Sequence, residues 1–254
     1  MSEICMKVKD LGISFGGLKA VDHFDLELRR GELVGLIGPN GAGKTTVFNL
    51  LTGVYTPTEG VVYIGDTLVN GKKTHQVVAN GAARTFQNIR LFKSLSVIDN
   101  VKIAFTKDVK YSLFQALFHV GSYWTEEAEI DRKARELLSL FKLEDKADTI
   151  AANLPYGQQR KLEIARALAT NMKILLLDEP AAGMNPTETA ELLECINLIR
   201  QRFSIAILLI EHDMSLVMNI CERIIVIDYG VTIAKGLPEE IAKNPKVIAA
   251  YLGA

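Results

Sequence analysis

The residues Gly38, Pro39, Asn40, Gly41, Ala42, Gly43, Lys44, Thr45 and Thr46 follow the spacing G-x-x-x-x-G-K-[ST] of a loop that cradles phosphate. Glycine has no Cβ, so such a loop can bend around an anion and turn several backbone N–H groups inward. A helix beginning just after it adds its positive N-terminal end. Lys44 supplies a point charge for β- and γ-phosphates, and the Thr45 hydroxyl a ligand for Mg²⁺. Farther along, the apolar run 174–177 ends in Asp178 and Glu179. That pattern predicts a buried strand delivering carboxylates to its C-terminal edge, where open α/β sheets bind ligands. Asp178 would hold Mg²⁺, directly or through water. Glu179, one residue on, points elsewhere and can take the proton of an attacking water. Without the phosphate loop, the same run would read as a strand ending in solvated acids. A second buried run, 204–210, ends in Glu211, His212 and Asp213. His212 then either caps a turn or reaches the γ-phosphate from the neighbouring strand. Gln87, in the bend Arg84-Thr85-Phe86-Gln87-Asn88, gains weight from this company alone.

These groups need elements to place them. Leu33, Val34, Gly35, Leu36 and Ile37 predict a buried strand before the loop, and 45–52 a helix stopped by Gly53. The alternation in 4–8 and 24–28 predicts an antiparallel pair, with 15–21 as the loop between them. Phe15 on that loop either stacks on a purine or closes the edge of the core. A further strand is expected at 61–64 and a turn-rich edge at 67–73. From 96 to about 152 the character is helical. A helix opening at Thr125 buries Ile130, Ala134, Leu137, Leu138 and Phe141, with Glu127/Asp131, Glu129/Lys133 and Asp131/Arg135 along its wet face. Tyr111, Phe114, Leu117, Phe118, Tyr123 and Trp124 make an aromatic segment expected to pack within this helical region; the alternative is a docking face for a membrane partner. Leu154, Pro155, Tyr156, Gly157 and Gln158 open a helix through Ala169. Its start either leaves N–H groups free for an anion or is an ordinary turn. Asn185-Pro186-Thr187-Glu188 is a helix start with Asn as cap. A hairpin is expected around Tyr229-Gly230, and a C-terminal helical stretch over 238–252.

The length of 254 residues allows one large α/β domain, and the 48% apolar and 23% charged fractions are those of an ordinary globular chain. The net charge of −1 gives no global field toward nucleic acid or anionic lipid. Cys5, Cys195 and Cys221 are far apart and form no C-x-x-C, which predicts reduced thiols. The N-terminal residues lack an apolar signal core, and the uncharged aromatic run 111–124 is too short to span a bilayer as a helix.

Taken in order, the phosphate loop, Gln87, 154–158, Asp178-Glu179 and His212 resemble the motifs of the nucleotide-binding subunits of ABC transporters across essentially the whole chain. The resemblance implies the α/β ABC ATPase fold: a mixed, mostly parallel P-loop NTPase core with an antiparallel β subdomain (1–90 and 170–254), and an inserted α-helical subdomain (about 91–169) that carries the signature. It implies ATP and Mg²⁺ as cofactors and head-to-tail pairing with a homologous ATPase subunit, as a heterodimer in the assembly or a homodimer in isolation. By the same resemblance Phe15 stacks on adenine, Gln87 watches Mg²⁺ and the water, Glu179 is the base and His212 contacts the γ-phosphate. Leu154, Pro155, Tyr156, Gly157 and Gln158 stand where the family has L-S-G-G-Q, and cap the nucleotide of the partner. Pro155 replaces the signature serine and so lacks its hydroxyl donor, and Asn185 replaces an acid.

The stretches 84–92, 154–160, 178–186, 210–214 and 244–253, with the aromatic insert, look most like the branched-chain amino-acid uptake ATPases of the LivG type. That likeness implies permease subunits, an indirect link to a substrate-binding protein, and a peripheral place on the cytoplasmic face of the membrane. Urea or amide uptake and lipopolysaccharide transport are the related alternatives. A soluble ABC ATPase of DNA repair or translation would need a long coiled-coil insertion or a second ATPase half. A GTPase would need N-K-x-D, and a non-catalytic binder would be expected to lack Glu179.

Overall fold

The computed structural model describes residues 3–118 and 120–252. In chain order the elements are β1 (Ile4–Phe15), β2 (Leu18–Arg29), β3 (Leu33–Ile37), α1 (Lys44–Leu51), β4 (Glu59–Ile64), β5 (Thr67–Leu68), α2 (Thr74–Ala79), β6 (Ala82–Arg84), α3 (Val97–Lys102), α4 (Leu113–Phe118), α5 (Tyr123–Leu140) and α6 (Tyr156–Leu168). Then follow β7 (Ile174–Asp178), α7 (Pro186–Phe203), β8 (Ala206–Ile210), α8 (Met214–Ile220), β9 (Arg223–Asp228), β10 (Val231–Gly236), α9 (Pro238–Ala242) and α10 (Pro245–Leu252).

Two compact units emerge. The first comprises residues 1–87, 172–182 and 196–254 and holds the sheet, whose order is β5-β4-β1-β2-β10-β9-β3-β8-β7-β6. β3, β8, β7 and β6 run parallel, β9 joins β3 in parallel, and β1, β2, β4 and β5 form an antiparallel wing. Every residue of β3, β7 and β8 is buried, which is why their sequences are unbroken apolar runs rather than alternating ones. The C-terminal ends of these central strands therefore emerge side by side.

The second unit, 88–171 and 183–195, is helical. In α5, Ala134, Leu137 and Leu138 are buried as the periodicity predicts, Ile130 is only half-buried, and Phe141 caps the end. The expected wet-face pairs form, Lys133–Glu129 at 3.3 Å and Arg135–Asp131 at 2.8 Å. The like-charged Glu127 and Asp131 are bridged by Lys102 of α3, 3.5 and 3.7 Å away. Arg160, wholly buried, pairs with Glu163 at 2.8 Å, and Glu163 also accepts the Arg90 N–H at 3.1 Å. The start of α7 is a reciprocal capping box, with Glu188 N–H on Asn185 Oδ1 at 3.0 Å and Asn185 N–H on Glu188 Oε2 at 3.1 Å.

Three expectations need correction. Residues 15–21 are not a loop, because β1 runs to Phe15 and β2 starts at Leu18, leaving Gly16-Gly17 as the turn. α5 begins at Tyr123, not Thr125. The C-terminal helical stretch is made of two helices, separated at Asn244-Pro245, where proline cannot continue the ladder of α9. The aromatic segment is only partly packed. Tyr111 and Tyr123 meet edge to face with ring centres 5.2 Å apart. The Tyr111 hydroxyl donates to Glu127 at 2.7 Å, a bond that pushes its pKa up to about 12. Phe114, Leu117, Phe118 and Trp124, by contrast, are each more than half exposed.

Cys5, Cys195 and Cys221 are free and buried. Burial raises all three thiol pKa values, that of Cys221 to about 12, so the reactive thiolate is suppressed at pH 8. An aromatic disulfide reagent at pH 8 should find them silent in the folded protein and release three equivalents in urea. Rapid release from the native chain would contradict this placement.

Candidate functional site

The phosphate loop leaves β3 at Gly38 and enters α1 at Lys44, as its spacing requires. Two glycines are imposed by geometry. Gly38 has φ 155°, and a Cβ there would stand 2.0 Å from the Ile227 carbonyl oxygen of β9. Gly43 has φ 101° at the cap of α1, and its Cβ would meet Ala20 O at 2.8 Å. No side chain caps α1, so its first N–H groups face the loop. The turn after β9 pins the loop from outside, with Gly230 N–H on Ala42 O at 2.9 Å. Lys44 is buried and its Nζ donates to Gly38 O (2.6 Å) and Pro39 O (2.8 Å), curling the ammonium around the loop. Burial draws its pKa below the ordinary lysine value, opposed by the Glu179 and Asp178 charges. Gly38→Ala should cost about 3 kcal/mol or more, since neither a strand backbone nor its neighbour can yield 1 Å. Urea unfolding checks it, and a loss under 1 kcal/mol would mean that the loop is not clamped by β9.

At the carboxylate end, β7 delivers Asp178, and the chain then turns through Glu179 at φ 46°. That left-handed backbone, which costs a non-glycine residue roughly 1–2 kcal/mol, re-aims the Glu179 side chain away from Asp178. The Glu179 N–H is fixed on Ile210 O at 2.9 Å. Its carboxylate lies between two of the predicted residues: Gln87 Nε2 donates to Oε2 at 2.8 Å, and His212 Nε2 stands 2.6 Å from Oε1. Gln87, Glu179 and His212 are thus brought together at the ends of neighbouring strands. Asp178 is 4% exposed, and one of its oxygens is taken by Arg84 Nη2 at 2.6 Å.

Among the described residues no group of three His, Cys, Asp or Glu side chains is spaced to hold a metal by itself. This donor chemistry fits Mg²⁺, which takes one or two protein oxygens and fills the rest of its shell with water and phosphate. Asp178 Oδ1 accepts no hydrogen bond among the described residues, and Thr45 is exposed on the first turn of α1. Phe15 ends β1 with its ring half exposed, edge to face with Tyr55 at 5.3 Å. Leu154, Pro155, Tyr156, Gly157 and Gln158 belong to the second unit. Pro155 is the cap residue of α6 and offers no side-chain bond to it, a Gly157 Cβ would stand 3.0 Å from Glu188 Oε1, and Gln158 accepts from Lys146 at 2.8 Å.

Two residues escaped the sequence reading. Arg84 opens the bend that holds Gln87, but its partners are 35 and 94 positions away. Glu211, 5% exposed, accepts the Ala181 N–H at 2.8 Å and the His212 N–H at 3.3 Å, tying the turn after Glu179 to His212. Burial raises its pKa against those two bonds. Its place at a strand end beside His212 was a usable signal.

Known proteins resemble this chain along its whole length. The sequence model of the ABC transporter family matches residues 21–182, and that of the branched-chain amino acid ATP-binding cassette transporter matches residues 231–254. The high-affinity branched-chain amino acid transport ATP-binding protein LivG of Salmonella typhimurium is 48% identical, covering 100% of this chain and 99% of its own. The lipopolysaccharide export system ATP-binding protein LptB of Escherichia coli is 33% identical over 98% of this chain and 97% of its own. Among solved structures, the ADP conformation of MJ1267, an ATP-binding cassette of an ABC transporter, superposes with a TM-score of 0.85 at 30% identity over 100% of both chains.

Proposed function

The chain belongs to the ABC transporter family of ATP-binding proteins, and from that premise we propose that it is the ATP-hydrolysing motor subunit of an importer for branched-chain or other hydrophobic amino acids. The observation that carries the ATPase reading is the Glu179 carboxylate held between Gln87 and His212, one residue beyond Asp178 and facing the loop that contains Lys44. The α1 N-terminus and Lys44 bind the β- and γ-phosphates. Thr45 and Asp178 hold Mg²⁺, which when bound neutralises charge on the transferred phosphoryl group. Glu179 takes the proton of the attacking water, His212 steadies Glu179 and reaches the γ-phosphate, and Gln87 orients the water. Phe15 stacks on the adenine.

A second ATPase subunit, related but not identical, supplies its signature to this nucleotide, while residues 154–158 of this chain cap the nucleotide held by that subunit. Pro155 gives no hydroxyl there, so the backbone N–H groups at the start of α6 carry the contact. The pair is carried at the cytoplasmic face by permease subunits, which receive substrate from a binding protein. Among the described residues no helix is long and apolar enough to cross a membrane. The amino-acid cargo rests on the relatives' names and on the C-terminal family match, and the higher identity to LivG than to LptB favours it over lipopolysaccharide export. Urea or amide uptake is the related alternative. The test is reconstitution of the full assembly in vesicles: leucine-loaded binding protein should stimulate ATP hydrolysis and drive leucine inward. ATP hydrolysis that ignores leucine but responds to urea would overturn the cargo and leave the motor.

A further inference from the structure

Arg84 closes β6, three residues before Gln87, and its guanidinium is gripped from four sides. Nη2 donates to Asp178 Oδ2 at 2.6 Å and Nη1 to Asn49 Oδ1 at 2.7 Å. The Phe48 and Phe86 rings lie 5.3 and 5.1 Å from its central carbon. The two charged side chains are 7% and 6% exposed, and Nε is buried without a hydrogen-bond partner among the described residues. A planar fork reaching two acceptors while stacking on rings is a task for arginine that a lysine cannot duplicate.

We propose that Arg84 is a positioning residue of the hydrolysis site, which holds one oxygen of Asp178 and by its charge keeps the nucleotide-free site from taking up a divalent cation. The inference rests on the reading of Asp178 as the metal ligand. Asn49 lies on α1 one turn beyond Thr45, so the Arg84 fork fixes the helix bearing one metal ligand against the strand bearing the other. With Oδ2 taken, Asp178 presents Oδ1 alone, a single-oxygen ligand suited to an octahedral ion that keeps its other positions for phosphate and water. Charge points the same way. Without nucleotide, the Lys44 and Arg84 cations offset the Asp178 and Glu179 carboxylates, which weakens the pull of the site on a free cation. A triphosphate reverses that balance, and the metal enters with it.

The test uses Mn²⁺ alone as probe, titrated into the full chain and followed by the loss of the free-ion paramagnetic resonance signal, with and without ATP. The wild-type chain should bind Mn²⁺ weakly without ATP and tightly with it. Arg84→Gln should bind Mn²⁺ without ATP at least roughly tenfold more tightly, because a full charge beside the ligand has gone. Arg84→Lys, whose cation cannot hold Asp178 and Asn49 together, should fall between the two. Adding Asp178→Asn to Arg84→Gln should abolish the gain, which locates it. Nucleotide-free affinities equal within twofold for the wild type and Arg84→Gln would overturn the proposal, and Arg84→Met, equally neutral, decides it if the Gln variant fails to fold. A wild-type chain that takes up no Mn²⁺ with ATP would instead overturn the reading of Asp178 and the phosphate loop.

Discussion

Glu179→Gln should bind ATP as tightly as the wild-type chain and hydrolyse it about 10²–10⁴-fold more slowly, the span expected when a positioned base is removed. The amide is nearly isosteric, so the hydrogen bond to Gln87 can be kept by a carbonyl oxygen and the fold should not suffer. What is lost is the proton acceptor. The strained turn at Glu179 and the bond of its N–H to Ile210 hold the side chain in place whichever group it carries. Because ATP then outlives each closure, nucleotide-bound pairs should accumulate, visible as a doubling of mass by light scattering when ATP is added with the partner subunit. Turnover within threefold of wild type would remove Glu179 from the role of base.

Lys44→Ala should weaken ATP binding by about 10²–10³-fold, about 3–4 kcal/mol, as when one partner of a buried, hydrogen-bonded charge pair is truncated. The loop geometry predicts that this loss is specific. Gly38 is held against β9, Gly43 against β2 and Ala42 by Gly230, so the loop keeps its shape without the ammonium. Calorimetric titration with ATP on a variant whose unfolding curve is unchanged separates lost binding from lost fold. Wild-type affinity in that variant would be fatal to the phosphate-loop reading.

Much of this site could be read from residue order because its parts are local. The loop is one continuous stretch, and the strands that carry Asp178-Glu179 and His212 are buried on both faces, so each shows as an uninterrupted apolar run. What stayed hidden depends on contacts between distant positions or on broken patterns. β1 and β2 extend well past the alternating stretches because Asp10 (φ 54°) and His23 (φ 47°), joined by a hydrogen bond, interrupt the alternation with bulges. β6 spans only Ala82–Arg84, too short for any period to register. The grip of Arg84 on Asp178 and Asn49 joins three elements far apart in the chain. The aromatics of 111–124 misled for another reason. A segment of large apolar residues usually buries itself, yet Phe114, Leu117, Phe118 and Trp124 stand exposed on α4 and the start of α5.

The most direct measurement is a crystal structure of Glu179→Gln grown with ATP and Mg²⁺. The account predicts the β- and γ-phosphates inside residues 38–46 with Lys44 Nζ swung from the Gly38 and Pro39 carbonyls onto them, and the metal between Thr45 and Asp178. Nucleotide bound elsewhere on the chain, with Lys44 still curled on its own loop, would contradict it.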